Sequence, residues 1–149
     1  MRGLAIALAL LCAFAARADP VEEEAPGLDP DYAAGRKAIE AQDWGSAIRL
    51  LSSAALRDAR NSDIQNNLGY AYRNAGELAP AFKHYNRALE LNPRHRGAHE
   101  YLGEAYLIIG NLAKAEEHLA LLRKICLIPC EETGHLERKI AEFRARAGK

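Results

Sequence analysis

Residues 62–95 read SDIQNNLGYAYRNAGELAPAFKHYNRALELNPRH. Ile64, Leu68, Ala71 and Tyr72 recur at spacings of three and four, which marks one face of a helix. Asn74-Ala75-Gly76 ends that helix, with Gly76 suited to the left-handed position after a helix C-terminus. Leu78, Phe82, Tyr85, Ala88 and Leu89 then mark the buried side of a second helix. Pro80 falls in its first turn, where a missing N–H has no intrahelical partner to lose. Asn92-Pro93 closes the unit.

The same 34-residue register fits the neighbouring stretches Leu28–Asn61 and Arg96–Pro129. Its eighth position holds Gly35, Gly69 and Gly103, and its twentieth holds Ala47, Ala81 and Ala115. Following Arg96, Tyr101, Leu102, Ala105, Tyr106 and Ile109 form one helix, Gly110-Asn111 turns, and Leu112, Ala115, Leu119 and Leu122 form the next. The first stretch diverges most, since Gln42-Asp43 replaces the turn glycine, although Gly35, Ala38, Ile39, Trp44, Ala47, Ile48, Leu51, Ala54 and Ala55 keep the spacing. Antiparallel helices pack closely only where the residues at their crossing are small. Glycine inside a helix costs about 0.5–1 kcal/mol against alanine, so three at equal spacing imply a steric demand. The bulky twenty-fourth position (Leu51, Tyr85, Leu119) is expected to fill the space between neighbouring helices.

Past Pro129, residues 130–149 are expected to form a capping helix and tail, the helix running from Thr133 to Ala147. Leu136, Ile140 and Phe143 give it a narrow apolar stripe, while Glu137, Arg138, Lys139, Glu142, Arg144 and Arg146 are expected to face water. A stacked array leaves its last hydrophobic face open, and such a helix closes it. At the other end, Arg2 precedes an uncharged stretch of 13 residues, Leu4–Ala16, and Ala16-Arg17-Ala18 offers small residues for cleavage. Residues 1–18 therefore read as a signal peptide cut before Asp19, too short for the roughly 20 residues of a membrane span. Residues 19–27 (DPVEEEAPG) read as a disordered acidic leader. The short Ala/Leu-rich signal points to a secreted, periplasmic protein.

Without residues 1–18 the chain carries 18 basic against 20 acidic residues, a balance with no electrostatic footprint for nucleic acid or anionic lipid. No Ser/His/Asp order, paired-carboxylate site or glycine-rich phosphate loop is found, so neither an enzyme nor a bound cofactor is expected. Cys126 and Cys130 are an even pair in an oxidising compartment. Pro129 should end the preceding helix near Leu127, leaving Cys126 on its last turn. A structural disulfide pinning the last helix is the favoured reading. A soft-metal site for Cu(I) completed by His118 or His135, or a redox-active dithiol, stand beside it. His95 and His99 straddle a repeat boundary and are expected to be solvated, as are His84, His118 and His135.

The spacing of Leu68-Gly69, Tyr72, Ala81, Tyr85, Ala88 and Pro93 resembles the tetratricopeptide repeat. The third segment matches through Leu102-Gly103, Tyr106 and Ala115, and the first through Ala34-Gly35 and Ala38. The early tryptophan of the pattern is replaced by Asp31, Gln65 and His99. The chain is also similar to small secreted bacterial repeat proteins ending in Cys-x-x-x-Cys-Glu-Glu. The resemblance implies an all-α, right-handed α-solenoid of three helix pairs (28–61, 62–95, 96–129) with a C-terminal capping helix. It further implies a concave groove lined by the first helix of each pair, at its second, fifth, ninth, twelfth and thirteenth positions. The lining would include Tyr32, Arg36, Asn66, Tyr70, Arg73, Asn74, Glu100, Glu104 and Leu107, with Ile39, Glu40, Asp63 and Ile108 beside them. Such a surface suits a peptide or partner protein, held by a monomer or weak dimer. A Lys/Asn/Arg clamp for a C-terminal carboxylate is disfavoured: Asn67 fits one of its positions, but Tyr32, Arg36, Gly97 and Tyr101 stand at the others.

Overall fold

In the computed structural model, residues 29–148 are described, so the expected signal peptide and acidic leader lie outside the described residues. Seven helices follow one another with no strand among the described residues: α1 (Pro30–Glu40), α2 (Trp44–Arg57), α3 (Ser62–Asn74), α4 (Leu78–Leu91), α5 (Arg96–Ile108), α6 (Leu112–Ile125) and α7 (Glu131–Ala147). α1 packs on α2, α3 on α4 and α5 on α6 as antiparallel hairpins, and each hairpin stacks on the next. α7 lies against both α5 and α6. The fold is all-α.

Each boundary has a local cause. Asp29, Asp43, Asn61 and Asn111 cap α1, α2, α3 and α6 by accepting from backbone N–H groups of the first turn. Gly76 and Gly110 take φ of 84° and 77° in the turns inside the second and third hairpins. In the first hairpin the same job falls to Gln42, at φ 57°, a conformation that costs an L-residue with a Cβ. Pro80 sits in the first turn of α4.

The glycine column is a packing device, as a methyl group built on each shows. At Gly35 it would lie 2.7 Å from Leu51 Cγ, and at Gly69 2.6 Å from Tyr85 Cδ1. The third position departs from the expectation that Leu119 would fill this role. A methyl at Gly103 would instead meet Leu136 of α7 at 2.7 Å. Leu119 stays buried in a cluster with Leu107, Ala115, Leu122, Leu136 and Ile140. Leu136 lies 34 residues after Leu102, as Leu102 does after Leu68, so α7 enters as the first helix of a fourth register.

Two boundaries differ from expectation. α6 ends at Ile125, and Cys126 is already extended beyond it, at φ −91° and ψ 101°. α7 begins at Glu131, directly after Cys130, rather than at Thr133. The Cys126 and Cys130 sulfurs are bonded, with their Cα atoms 5.9 Å apart. The intervening Leu127 and Ile128 project into solvent.

The histidines are not the solvated residues that were expected. His99 is only 4% exposed. His95 is mostly enclosed: its Nδ1 caps α5 by accepting from the Ala98 N–H at 3.1 Å, and its Nε2 lies 2.9 Å from Asp63 Oδ1. His84 and His118 are half-buried against α3 and α5, and His135 reaches Glu100. In each case a polar partner on a neighbouring segment replaces the water that surface placement would have supplied.

Candidate functional site

α3, α5 and α7 bound a cleft of about 700 Å³ on the side of the array formed by the first helices. Its walls carry Arg73 and Asn74 from α3, Glu104, Leu107 and Ile108 from α5, and Lys139, Glu142, Phe143 and Arg146 from α7. Ile108 is 58% exposed at the mouth, whereas Leu107 is buried into the cluster beneath.

Arg73 organises the inner end. Its guanidinium lies 5.3 Å from the ring centroids of both Tyr70 and Tyr101, and Nη1 donates to Glu104 Oε2. The two side chains of this ion pair are only 10% and 16% exposed. Tyr70 and Tyr101 sit with ring centroids 4.8 Å apart, and Trp44 meets Tyr70 edge-on at 6.1 Å. An arginine packed against two neighbouring aromatic rings and paired with a carboxylate is restrained by cation–π and charge-assisted contacts together. Burial, then the nearby Glu100 charge, pushes the Tyr101 hydroxyl up to about 12, so it remains a neutral donor throughout the physiological range. The sequence thus places an aromatic and charged cluster beside a cleft of mixed apolar and charged lining, a combination suited to recognition.

The expected groove residues divide into two sets. Tyr70, Arg73, Glu104 and Leu107 gather at the cleft or its inner end, with Asn74 at its rim, where Asn74 Nδ2 donates to its own helix at Tyr70 O (2.8 Å). Arg36 is exposed on α1, away from the residues bounding the cleft. The fifth-position residues do something else. Tyr32 accepts from Asn67 Nδ2 at 3.2 Å across to α3. Asn66 is buried, with its Nδ2 3.4 Å from the place a methyl at Gly97 of α5 would take. Glu100 is buried too, its Oε1 3.0 Å from His135 Nδ1 of α7. Asn66 and Glu100 are therefore removed from the groove, because the fifth position joins each first helix to the next.

Sequence reasoning also missed residues. Lys139, Glu142 and Arg146 are exposed, as expected, and with Phe143 they also line the α7 side of the cleft, a role their polar stripe did not signal. Continuing the 34-residue register past Pro129 would have flagged Glu142, which falls in column with Asn74 and Ile108. Trp44 and Tyr101 carried no groove signal, since both read as core positions.

Among the described residues, no three His, Cys, Asp or Glu side chains come together as a metal site would require. None of the described helices is long and apolar enough to cross a membrane.

Residues 62–95 and 81–126 each match a tetratricopeptide repeat family model. A curated relative, the Drosophila melanogaster protein O-mannosyl-transferase Tmtc3, is 27% identical over 92 residues. The match takes in 62% of this chain and 10% of that protein. Solved structures with the same fold include the first tetratricopeptide domain of human RPAP3 (23% identity, 78% of this chain and 91% of that one, TM-score 0.68). The Yersinia enterocolitica type III secretion chaperone SycD, in complex with a peptide of the translocator YopD, superposes at TM-score 0.70 with 16% identity, covering 78% of this chain and 92% of that one. The TPR2B domain of yeast Sti1, in complex with pHsp70, gives 0.67 at 19% identity, covering 79% and 93%. Helix pairs, register and family matches agree: this chain is a tetratricopeptide repeat protein.

Proposed function

We propose that this chain is a non-catalytic binding module that holds a peptide or a segment of a partner protein in its concave cleft. The observation that carries the reading is the Tyr70–Arg73–Tyr101–Glu104 platform opening onto Leu107, Ile108 and Phe143. Apolar contact area and fixed charges on a helical scaffold are what a peptide site needs, because a pre-ordered surface loses little entropy on binding. The solved relatives add weight by analogy. The SycD structure contains a YopD peptide, and the first tetratricopeptide domain of Spaghetti (RPAP3) is bound to the HSP90 peptide SRMEEVD.

The module works in the periplasm, delivered there by residues 1–18, and is expected as a monomer or weak dimer. N-terminal sequencing of the protein recovered from a periplasmic fraction should begin at Asp19. For the cleft, peptides selected from a displayed random library should bind the wild-type chain and lose at least tenfold in affinity to Ile108→Asp combined with Phe143→Ser. Equal affinity for the two proteins would remove the cleft from consideration.

A further inference from the structure

The second and third hairpins hold the same three-residue arrangement, and one of the two copies is built differently. In the second, His84 stacks on Tyr72 (centroids 5.4 Å, interplanar angle 4°) and its Nδ1 lies 2.8 Å from Gln65 Oε1. In the third, His118 stacks on Tyr106 (5.7 Å, 19°) and its Nδ1 lies 2.9 Å from His99 Nδ1. Each member stands 34 residues after its counterpart: Gln65 and His99, Tyr72 and Tyr106, His84 and His118. One copy is a nitrogen facing an oxygen; the other is a nitrogen facing a nitrogen.

That difference fixes protons. His99 Nε2 lies 3.0 Å from the Pro93 carbonyl oxygen, which only accepts, so Nε2 carries the hydrogen. Neutral His99 then offers a bare Nδ1, and His118 donates to it from Nδ1–H. Gln65 accepts from His84 whether His84 is neutral or charged, because an amide oxygen keeps its lone pairs. His99 accepts only while it is neutral. A proton added to its Nδ1 sets two N–H groups head to head at hydrogen-bond distance and breaks the contact.

We propose that His99 and His118 form an acid-released clasp between α5 and α6, confined to the third hairpin. The surroundings do not favour a charge there. His99 faces His95 and the Pro93 carbonyl, and His118 faces Tyr106 on α5 with Glu117 and Lys114 on its own helix. Burial, then the His99 charge, holds His118 down at about 4, and burial also lowers His99. The sign follows. The unfolded chain takes up protons as pH falls below the ordinary histidine value of about 6.5, while the folded clasp does not. The folded-to-unfolded ratio therefore drops by up to about tenfold per pH unit for His118 alone, down to about pH 4. Glu100, one residue from His99, works in the opposite direction, since burial raises its carboxyl and protonation relieves it. α5 supplies one wall of the cleft and the seat of α7, so release of the clasp would loosen the site. That consequence rests on the groove reading above; the clasp itself does not.

The test is the melting temperature as a function of pH between 7.5 and 4 for the wild type and for His99→Gln, which copies the Gln65–His84 pair. The two proteins should melt alike at pH 7.5 and diverge below about pH 6.5, with the wild type falling more steeply. Parallel curves would overturn the clasp. Should His99→Gln fail to fold, imidazole nitrogen shifts in the wild-type protein decide. His99 protonated at Nε2 and His118 at Nδ1, both still neutral at pH 5.5, support it; ordinary titration near 6.5 refutes it. Neither readout involves a bound partner, so the clasp and the cleft stand or fall separately.

Discussion

Gly103 lies directly beneath Leu136: a methyl group on residue 103 would come within 2.7 Å of the leucine Cδ2 and 2.9 Å of its Cδ1. The two residues belong to α5 and α7, so the position that closes each earlier hairpin on itself is used here to seat the last helix. Gly103→Ala is expected to cost about 1–3 kcal/mol through overpacking and to free α7 before the rest of the array. Urea unfolding, combined with limited proteolysis within residues 131–147, checks both parts. Wild-type stability with an uncut α7 would contradict this seating.

Gln42 occupies the turn that glycine fills at Gly76 and Gly110, with a φ of 57°. Removing its Cβ relieves about 1–2 kcal/mol of left-handed strain, offset by about 0.4–1 kcal/mol of added unfolded-state freedom. Gln42→Gly should therefore stabilise the chain slightly and raise its melting temperature. A lowered melt would show that the Gln42 side chain contributes more than the turn conformation costs.

Arg73 and Glu104 are mutually paired and mostly enclosed. Arg73→Ala leaves a carboxylate in a poorly solvated place and removes a cation from two aromatic faces, so a loss of about 2–4 kcal/mol is expected. The double variant with Glu104→Gln should be less damaged than the sum of the two single changes. A double-mutant cycle by denaturant unfolding measures this coupling, and additive effects would argue that the pair does not hold α3 to α5.

The Cys126–Cys130 bond closes a short loop between α6 and α7. Cys126→Ser is expected to lower stability by about 2 kcal/mol in the chain-entropy treatment while leaving far-UV helicity intact. Thermal melts of the oxidised wild type and the variant make the comparison, and identical melts would count against a stapling role.

The sequence was a good guide wherever structure repeats along the chain. Ile64, Leu68 and Tyr72 announced α3, Gly69 and Ala81 marked close crossings, and Gly76 marked the turn, because each effect acts at a fixed offset within one repeat. Its failures came where a residue's partner lies one repeat away. Asn66 and Glu100 read as groove residues, but their environment is set by Gly97 and His135 on the next first helix. The buried histidines escaped notice for a similar reason, since neither His99 nor His118 belongs to an apolar stripe and only the closed hairpin brings them together. Lys139, Glu142 and Arg146 are as exposed as their polar stripe implies, and their second role along the cleft follows only from α7 taking the next first-helix place in the register. Tyr101 was legible as core but not as one of the two rings against which Arg73 packs.

The central claim, that the concave cleft between α3, α5 and α7 is the binding surface, is tested most directly by amide chemical-shift mapping with a library-selected peptide. Shifts should concentrate at Arg73, Glu104, Ile108 and Phe143 and be absent from α2 and α4. Shifts confined to α2 and α4, or to the loop from Cys126 to Cys130, would contradict the account.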